Sequence, residues 1–311
     1  MRQSASNLFL IRPFNFFGNP ETSVNNYFQF NVKDNDRYDI SKKALFEFDE
    51  FCMTLRKNNL NVFVFDDTKK PKTPDSIFPN NWISTHQDGN IFIYPMFAEN
   101  RRLERRNDIV CFLKEKFNVS NVFDNAVFNE KNNKFLEGTG SMVLDRVNRI
   151  VYAALSERTH RDLLNDFCKK INFLPITFTS FQDYNTKKII YHTNVMMSIC
   201  ENFVVICLDS IKNSSEKNNV LNSLNLTKKE IISISLEQVN NFCGNVLEVK
   251  SSSNENLLVM STKSFNSFSK SQKKIINRFC KIVHSPLDTI EKYGGGGARC
   301  MIAEIFLNKI P

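Results

Sequence analysis

Cys300, His192 and Glu137 are the residues with which this 311-residue chain could run nucleophilic catalysis. A thiol attacks as its thiolate, and a free cysteine with a pKa of about 8.5 needs help to ionise at neutral pH. His192 is suited to take that proton and later deliver it to a leaving nitrogen. Glu137 is suited to orient the imidazole and stabilise its charge, or to bind a substrate nitrogen. The run GGGGA precedes Cys300, but no Lys-Ser/Thr pair follows it, which excludes a phosphate-binding loop; a flexible flap or backbone contact with substrate fits better. None of the eight cysteines forms a CxxC pair, and the four histidines include no HExxH, so no metal, no cofactor and no disulfide framework is expected.

Spacing sharpens this choice. Asn81, Glu137, His192, Asn245 and Cys300 follow one another at intervals of 56, 55, 53 and 55 residues. Each begins a β-rich hairpin followed by an amphipathic helix. The hairpins turn at Asp88-Gly89, Asp145 to Asn148, Glu201-Asn202 and Ser251 to Asn254. Helical periodicity appears in RRLERRNDIVCFLKEKF (101–117), RTHRDLLNDFCKKI (158–171), IKNSSEKNNVLNSL (211–224) and SKSQKKIINRFCKI (269–282). A fifth unit combines RCMIAEIFL near the C-terminus with LFLIRP and SKKALFEFDEFCMTLRKN near the N-terminus. The expected fold is therefore α/β: a five-bladed, propeller-like ββαβ ring forming a single domain over residues 1–311, its last blade closed by both chain ends. Such a ring would bring the five spaced residues to one central axis.

In that order PDSIFPNN (74–81), LEGTG (136–140), LSERT (155–159), YHTN (191–194) and GGGGARC (294–300) resemble the motifs of the guanidino-group-modifying, or pentein, superfamily. The resemblance covers essentially the whole chain. FPNNWISTH, LEGTGSMVLDR and GGARCMIAEIF look most similar to the citrulline-utilisation hydrolases, or citrulline ureidases. The resemblance implies Cys300 as nucleophile, His192 and Glu137 as its catalytic partners, Arg101 and Arg158 as anchors for a substrate α-carboxylate, and Asp75 as a contact for the α-amino group. A planar guanidinium suits carboxylate binding.

Family members that bind a cationic guanidinium carry acids where this chain has Asn80, Asn81 and Asn194. A buried guanidinium would call for carboxylates, whereas a neutral ureido group offers a carbonyl acceptor and N–H donors that an amide complements. The reading is a citrulline ureidase, a hydrolase of linear carbon–nitrogen bonds that releases ornithine, ammonia and carbon dioxide through a covalent Cys300 intermediate. The alternatives are an arginine or methylarginine hydrolase or an amidinotransferase of the same superfamily, and a non-catalytic ring used for binding. A neutral substrate leaves thiol activation to His192 and backbone N–H groups. Arg299 is expected to point away, by strand alternation.

Composition agrees with a globular enzyme: 41% hydrophobic and 24% charged. No leader-like segment and no apolar run near the ~18 residues of a membrane span is evident, so a soluble, cytoplasmic protein is expected. The net charge is +8, but its basic residues are scattered and the densest cluster, RRLERR, contains Glu104. The expected partner is a small amino-acid substrate, with no nucleic acid and no membrane; the oligomeric state stays open.

Overall fold

The computed structural model describes residues 1–30 and 36–310. Among them, five three-stranded sheets repeat one pattern. In the first, Ile83–Thr85 pairs antiparallel with Asn90–Ile93, which pairs parallel with Asn121–Asp124. The second uses Val143–Asp145, Ile150–Ala154 and Leu174–Phe178. The third uses Met197–Ile199, Phe203–Ile206 and Glu230–Ser233, and the fourth Leu247–Lys250, Asn256–Ser261 and Lys281–Ser285. The fifth joins the chain ends: Ala303–Ile305 pairs antiparallel with Asn7–Arg12, which pairs parallel with Asn61–Asp66. A two-stranded ribbon, Phe181–Asp183 with Lys188–Ile189, stands apart. Every sheet is open.

A parallel pair needs a crossover, and helices supply it in each unit. They are Asn107–Lys116, Arg161–Ile171, Ser214–Leu226, the pair Thr262–Ser267 and Lys270–Ile276, and Arg37–Lys57. Arg161–Ile171 shows how sequence sets the packing. Leu164, Phe167, Cys168 and Ile171 form its buried stripe at helical spacing, and Asn172 ends it in the left-handed conformation. The middle strands are the apolar ones; Phe203–Ile206 is buried throughout, as a strand covered on both faces must be.

The helix expected over 101–117 is interrupted. A single turn, Glu99–Arg102, is followed by a break before Asn107–Lys116. An amphipathic reading would bury Leu103 and expose Arg101, yet Leu103 is 54% exposed and Arg101 only 2%. The buried Arg101–Glu104 pair turns the chain inward and overrides the local periodicity. No helix among the described residues is long and apolar enough to cross a membrane.

First strands of neighbouring sheets touch: Ala303–Ile305 against Ile83–Thr85, Val143–Asp145 against Met197–Ile199, and the latter against Leu247–Lys250. The turns leading into these strands consequently gather on one side of the molecule.

Candidate active site

The five spaced residues all lie in those turns, just before the strands. Asn81 ends the short helix Pro79–Asn81, and Glu137 and His192 precede the single-turn helices Gly138–Ser141 and Thr193–Met196. Asn245 and Cys300 stand two and three residues ahead of Leu247–Lys250 and Ala303–Ile305. Cys300 N–H donates to Gly297 O at 3.0 Å, so the nucleophile candidate sits in a turn, and strand alternation says nothing about where Arg299 points.

The turns enclose a cavity with about 260 Å³ of empty space, bounded by Asp75, Asn81, Arg158, Tyr191, His192 and Cys300 among others. Glu137 reaches His192 Nε2 with Oε2 at 2.8 Å, while its Oε1 accepts from Phe97 N–H at 2.9 Å. Burial opposes a charge on Glu137, but Arg158, His192 and Arg101 outweigh it and hold the carboxyl well below its usual range. Burial lowers His192 to about 4 despite the Glu137 bond. At neutral pH the ring is therefore neutral, Nε2–H donates to Glu137, and Nδ1 is left as a lone-pair acceptor. A Cβ on residue 140 would fall 2.7 Å from Nδ1 and 2.4 Å from Asn81 Nδ2, so glycine there is what lets these two groups approach.

Asn81 is the most informative amide. Arg101 Nη1 donates to its Oδ1 at 2.9 Å. A guanidinium only donates, so this contact fixes which end of the amide faces Arg101. The opposite end, Nδ2, is buried and has no hydrogen-bond partner among the described residues. Asn80 is also buried; its Nδ2 donates to Thr139 Oγ1 at 3.3 Å and its Oδ1 is unpartnered, but it does not bound the cavity.

Arg101 and Arg158, grouped together in sequence, differ in the fold. Arg101 spends its donors on Glu104, Asn81 and the Phe78 carbonyl, with Asp75 Oδ2 3.8 Å away. Burial works against its charge, yet Glu104 and Asp75 prevail and keep it firmly protonated. Most of its donors are thus engaged within the protein, and Arg101 still borders the cavity. Arg158 is met by Asn25 Oδ1 and Thr22 O, with Nη1 3.5 Å from Glu137. Asp75 accepts from Asn19 Nδ2 (2.8 Å) and Thr22 Oγ1 (3.1 Å) on Oδ2, leaving buried Oδ1 unpartnered.

Asn19, Thr22, Asn25 and Asn26 belong to a loop between the first strand and the long helix that sequence reasoning passed over. Asn26 Nδ2 also donates to Gly294 O at 3.2 Å, tying this loop to the glycine run. Their signal was present as a dense Asn/Thr stretch without periodicity.

The sulfur of Cys300 is 3.1 Å from Asn245 Nδ2 and 3.5 Å from Asn194 Nδ2. Burial raises the thiol, and these two amides pull against it. Asn194, expected at the substrate, thus meets the nucleophile itself. Tyr191 donates its hydroxyl to Gly295 O at 2.6 Å, and its ring lies tilted against His192, centroids 4.5 Å apart.

Comparison with known proteins places the chain in a family and its fold among solved structures. The chain matches the family described as N,N dimethylarginine dimethylhydrolase, eukaryotic, over residues 12–307. Among solved structures it is similar to the N-terminal domain of ArgZ, an arginine dihydrolase from the ornithine–ammonia cycle in cyanobacteria, in a Cys→Ser variant bound to substrate. There the TM-score is 0.70 at 16% identity, covering 97% of this chain and 99% of that one. Against full-length ArgZ the chain spans 39% of that protein's length, with a TM-score of 0.68 at 15% identity and 96% of this chain covered. DDAH from Pseudomonas aeruginosa, a Cys→Ser variant complexed with citrulline, gives 0.65 at 12% identity, covering 97% and 100%. At such identities these structures speak for the fold. No curated protein sequence matches.

Proposed function

Because the chain belongs to the eukaryotic N,N-dimethylarginine dimethylhydrolase family, within the guanidino-group-modifying superfamily, and is a hydrolase of carbon–nitrogen bonds, we propose that it removes the ureido group of L-citrulline. In this reading the five sheets form one closed ring and one catalytic domain. The contacts between first strands support that arrangement, as does the bond from Lys250 N–H to Ala5 O at 2.9 Å, which ties the fourth sheet to the chain segment entering the fifth.

The observation that carries the substrate assignment is Asn81. With Oδ1 taken by Arg101, what it offers the cavity is an N–H donor, which complements a carbonyl oxygen and opposes a guanidinium, whose outward groups all donate. Cys300 Sγ attacks the ureido carbon, and the oxygen, now carrying the charge, is stabilised by Asn81. His192 receives the thiol proton on Nδ1 and returns it to the departing nitrogen, with Glu137 holding the ring. Water then releases the carbonyl from sulfur. Ornithine, ammonia and carbon dioxide are the final products. Arg158 and the free Oδ1 of Asp75 anchor the amino-acid end, and Asn194 completes the reacting end.

A second reading is an arginine hydrolase. It is favoured by the guanidino substrate in the family's name and by the arginine dihydrolase fold match. Incubating purified protein with citrulline, arginine, agmatine and dimethylarginine separates the two. Ornithine and ammonia from citrulline alone are expected. Citrulline accumulating from arginine would refute the ureido assignment, and ornithine from both substrates would favour the dihydrolase.

A further inference from the structure

Asn245 has no role in the reaction sketched above, yet its side chain is the nearest hydrogen-bond donor to the reacting sulfur. It is 1% exposed, and both ends of its amide are assigned. Gly297 N–H donates to Oδ1 at 3.1 Å, which forces Nδ2 toward Cys300 Sγ at 3.1 Å and Asn194 O at 3.0 Å. The backbone amide of the glycine run thus fixes the amide's orientation, and the amide hands one N–H to sulfur. A thiol can donate; a thiolate only accepts. An N–H aimed at sulfur and held from behind is an arrangement that favours the thiolate.

We propose that Asn245 is a catalytic residue that stabilises the Cys300 thiolate before any substrate arrives. This rests on Cys300 being the nucleophile, but not on which substrate it attacks. The thiol proton passes to His192 Nδ1, and the Asn245 N–H meets the thiolate left behind. The other titratable groups near this corner are Arg299, adjacent in the chain, Tyr191, and Glu291, which lies against Gly297 from the helix Asp288–Gly294. Asn194 adds a second, longer amide contact.

The test reads the thiol and not the turnover, so it stands whatever the substrate proves to be. The rate of Cys300 alkylation by iodoacetamide is measured against pH for the wild type, Asn245→Ala and Asn245→Asp, each checked for an intact thermal unfolding transition, with Cys300→Ala as the background. A hydrogen bond to an ionised acceptor is worth about one to two pKa units. Asn245→Ala should therefore shift the midpoint upward by about that much, slowing alkylation at pH 7.5 by about tenfold or more. Asn245→Asp keeps the shape and the acceptor for Gly297 but places an oxygen against sulfur, so its midpoint should rise further. Midpoints unchanged in both variants, or an Asp variant that alkylates like the wild type, would overturn the proposal. If Asn245→Ala loosens the loop, the isosteric Asp variant alone decides.

Discussion

Changing Asn81 to Asp is the sharpest perturbation of the substrate assignment. The variant keeps the oxygen that accepts from Arg101 Nη1 at 2.9 Å and converts the opposite, unpartnered nitrogen into a second oxygen. A buried carboxylate requires a partner, and Arg101 already sits at hydrogen-bond distance, so folding should be retained. The reacting oxygen of citrulline then faces an acceptor. Losing one preorganised donor to a developing oxyanion costs about 2.7–4 kcal/mol, roughly 10²–10³ in kcat. A guanidinium gains a charge-assisted hydrogen bond of about 1.5–3 kcal/mol. The two effects together swing the citrulline-to-arginine preference by roughly 10³–10⁵ toward arginine, since each 1.36 kcal/mol is about tenfold. The assay is initial-rate release of ornithine from citrulline and of citrulline from arginine, in wild type and variant at matched folding. Citrulline turnover left within a few-fold of wild type would refute the reasoning, because Asn81 Nδ2 would then not meet the substrate oxygen.

Glu137→Gln leaves one acceptor oxygen for two donors, Phe97 N–H and His192 Nε2–H, and removes the carboxylate charge beside Arg158 and Arg101. It should lower kcat by about 10²–10⁴ and, by breaking a buried charge cluster, destabilise the fold by about 3–5 kcal/mol; kinetics and denaturant unfolding report the two separately. With His192 near 4 in the fold, its base form persists at neutral pH, so kcat/KM against pH should be flat on the acid side until it falls near pH 4–5. The stability sign follows the same shift. The unfolded histidine takes a proton near 6.5 and the folded one only near 4, so stability is lost as pH drops through that window, measurable as a falling Tm that His192→Gln suppresses. Glu291 carries the opposite sign. Burial raises it to about 8, its oxygens find no hydrogen-bond partner of normal geometry, and stability should fall as pH rises from about 4.5 to 8. Glu291→Gln should remove that fall and stabilise the protein at pH 8 by up to about 4 kcal/mol, read from urea unfolding at pH 5 and pH 8.

The repeat was legible because hydrophobic alternation and turn dipeptides survive in all five units, and one interval of about 55 residues picks out Asn81, Glu137, His192, Asn245 and Cys300 together. What periodicity does not carry is the direction of a side chain in a turn. Strand alternation does not reach Arg299 and Cys300, because the strand starts at Ala303. Arg101 and Arg158 looked equivalent as basic residues in family motifs; only the fold shows one engaged by Glu104, Asn81 and Phe78 and the other reached by a polar loop. That loop was invisible because Asn19, Thr22 and Asn25 act through single long-range hydrogen bonds, and no local pattern specifies those.

The proposed neutral reacting group accords with the charge layout of a site that still holds so many ions. Asp75, Glu104 and Glu137 are balanced within the protein by Arg101 and Arg158. Where the nucleophile waits, the nearest polar groups are amides: Asn245 and Asn194 on the sulfur, Asn81 beside the imidazole. A cation brought here would find its would-be carboxylates already paired and a donor facing it, while burial would magnify the mismatch. A ureido group asks only for donors at its oxygen and acceptors at its nitrogens. In the proposed ureido reading Arg101 acts on specificity through Asn81: by holding Oδ1, it leaves the donating end, Nδ2, as the unpartnered one.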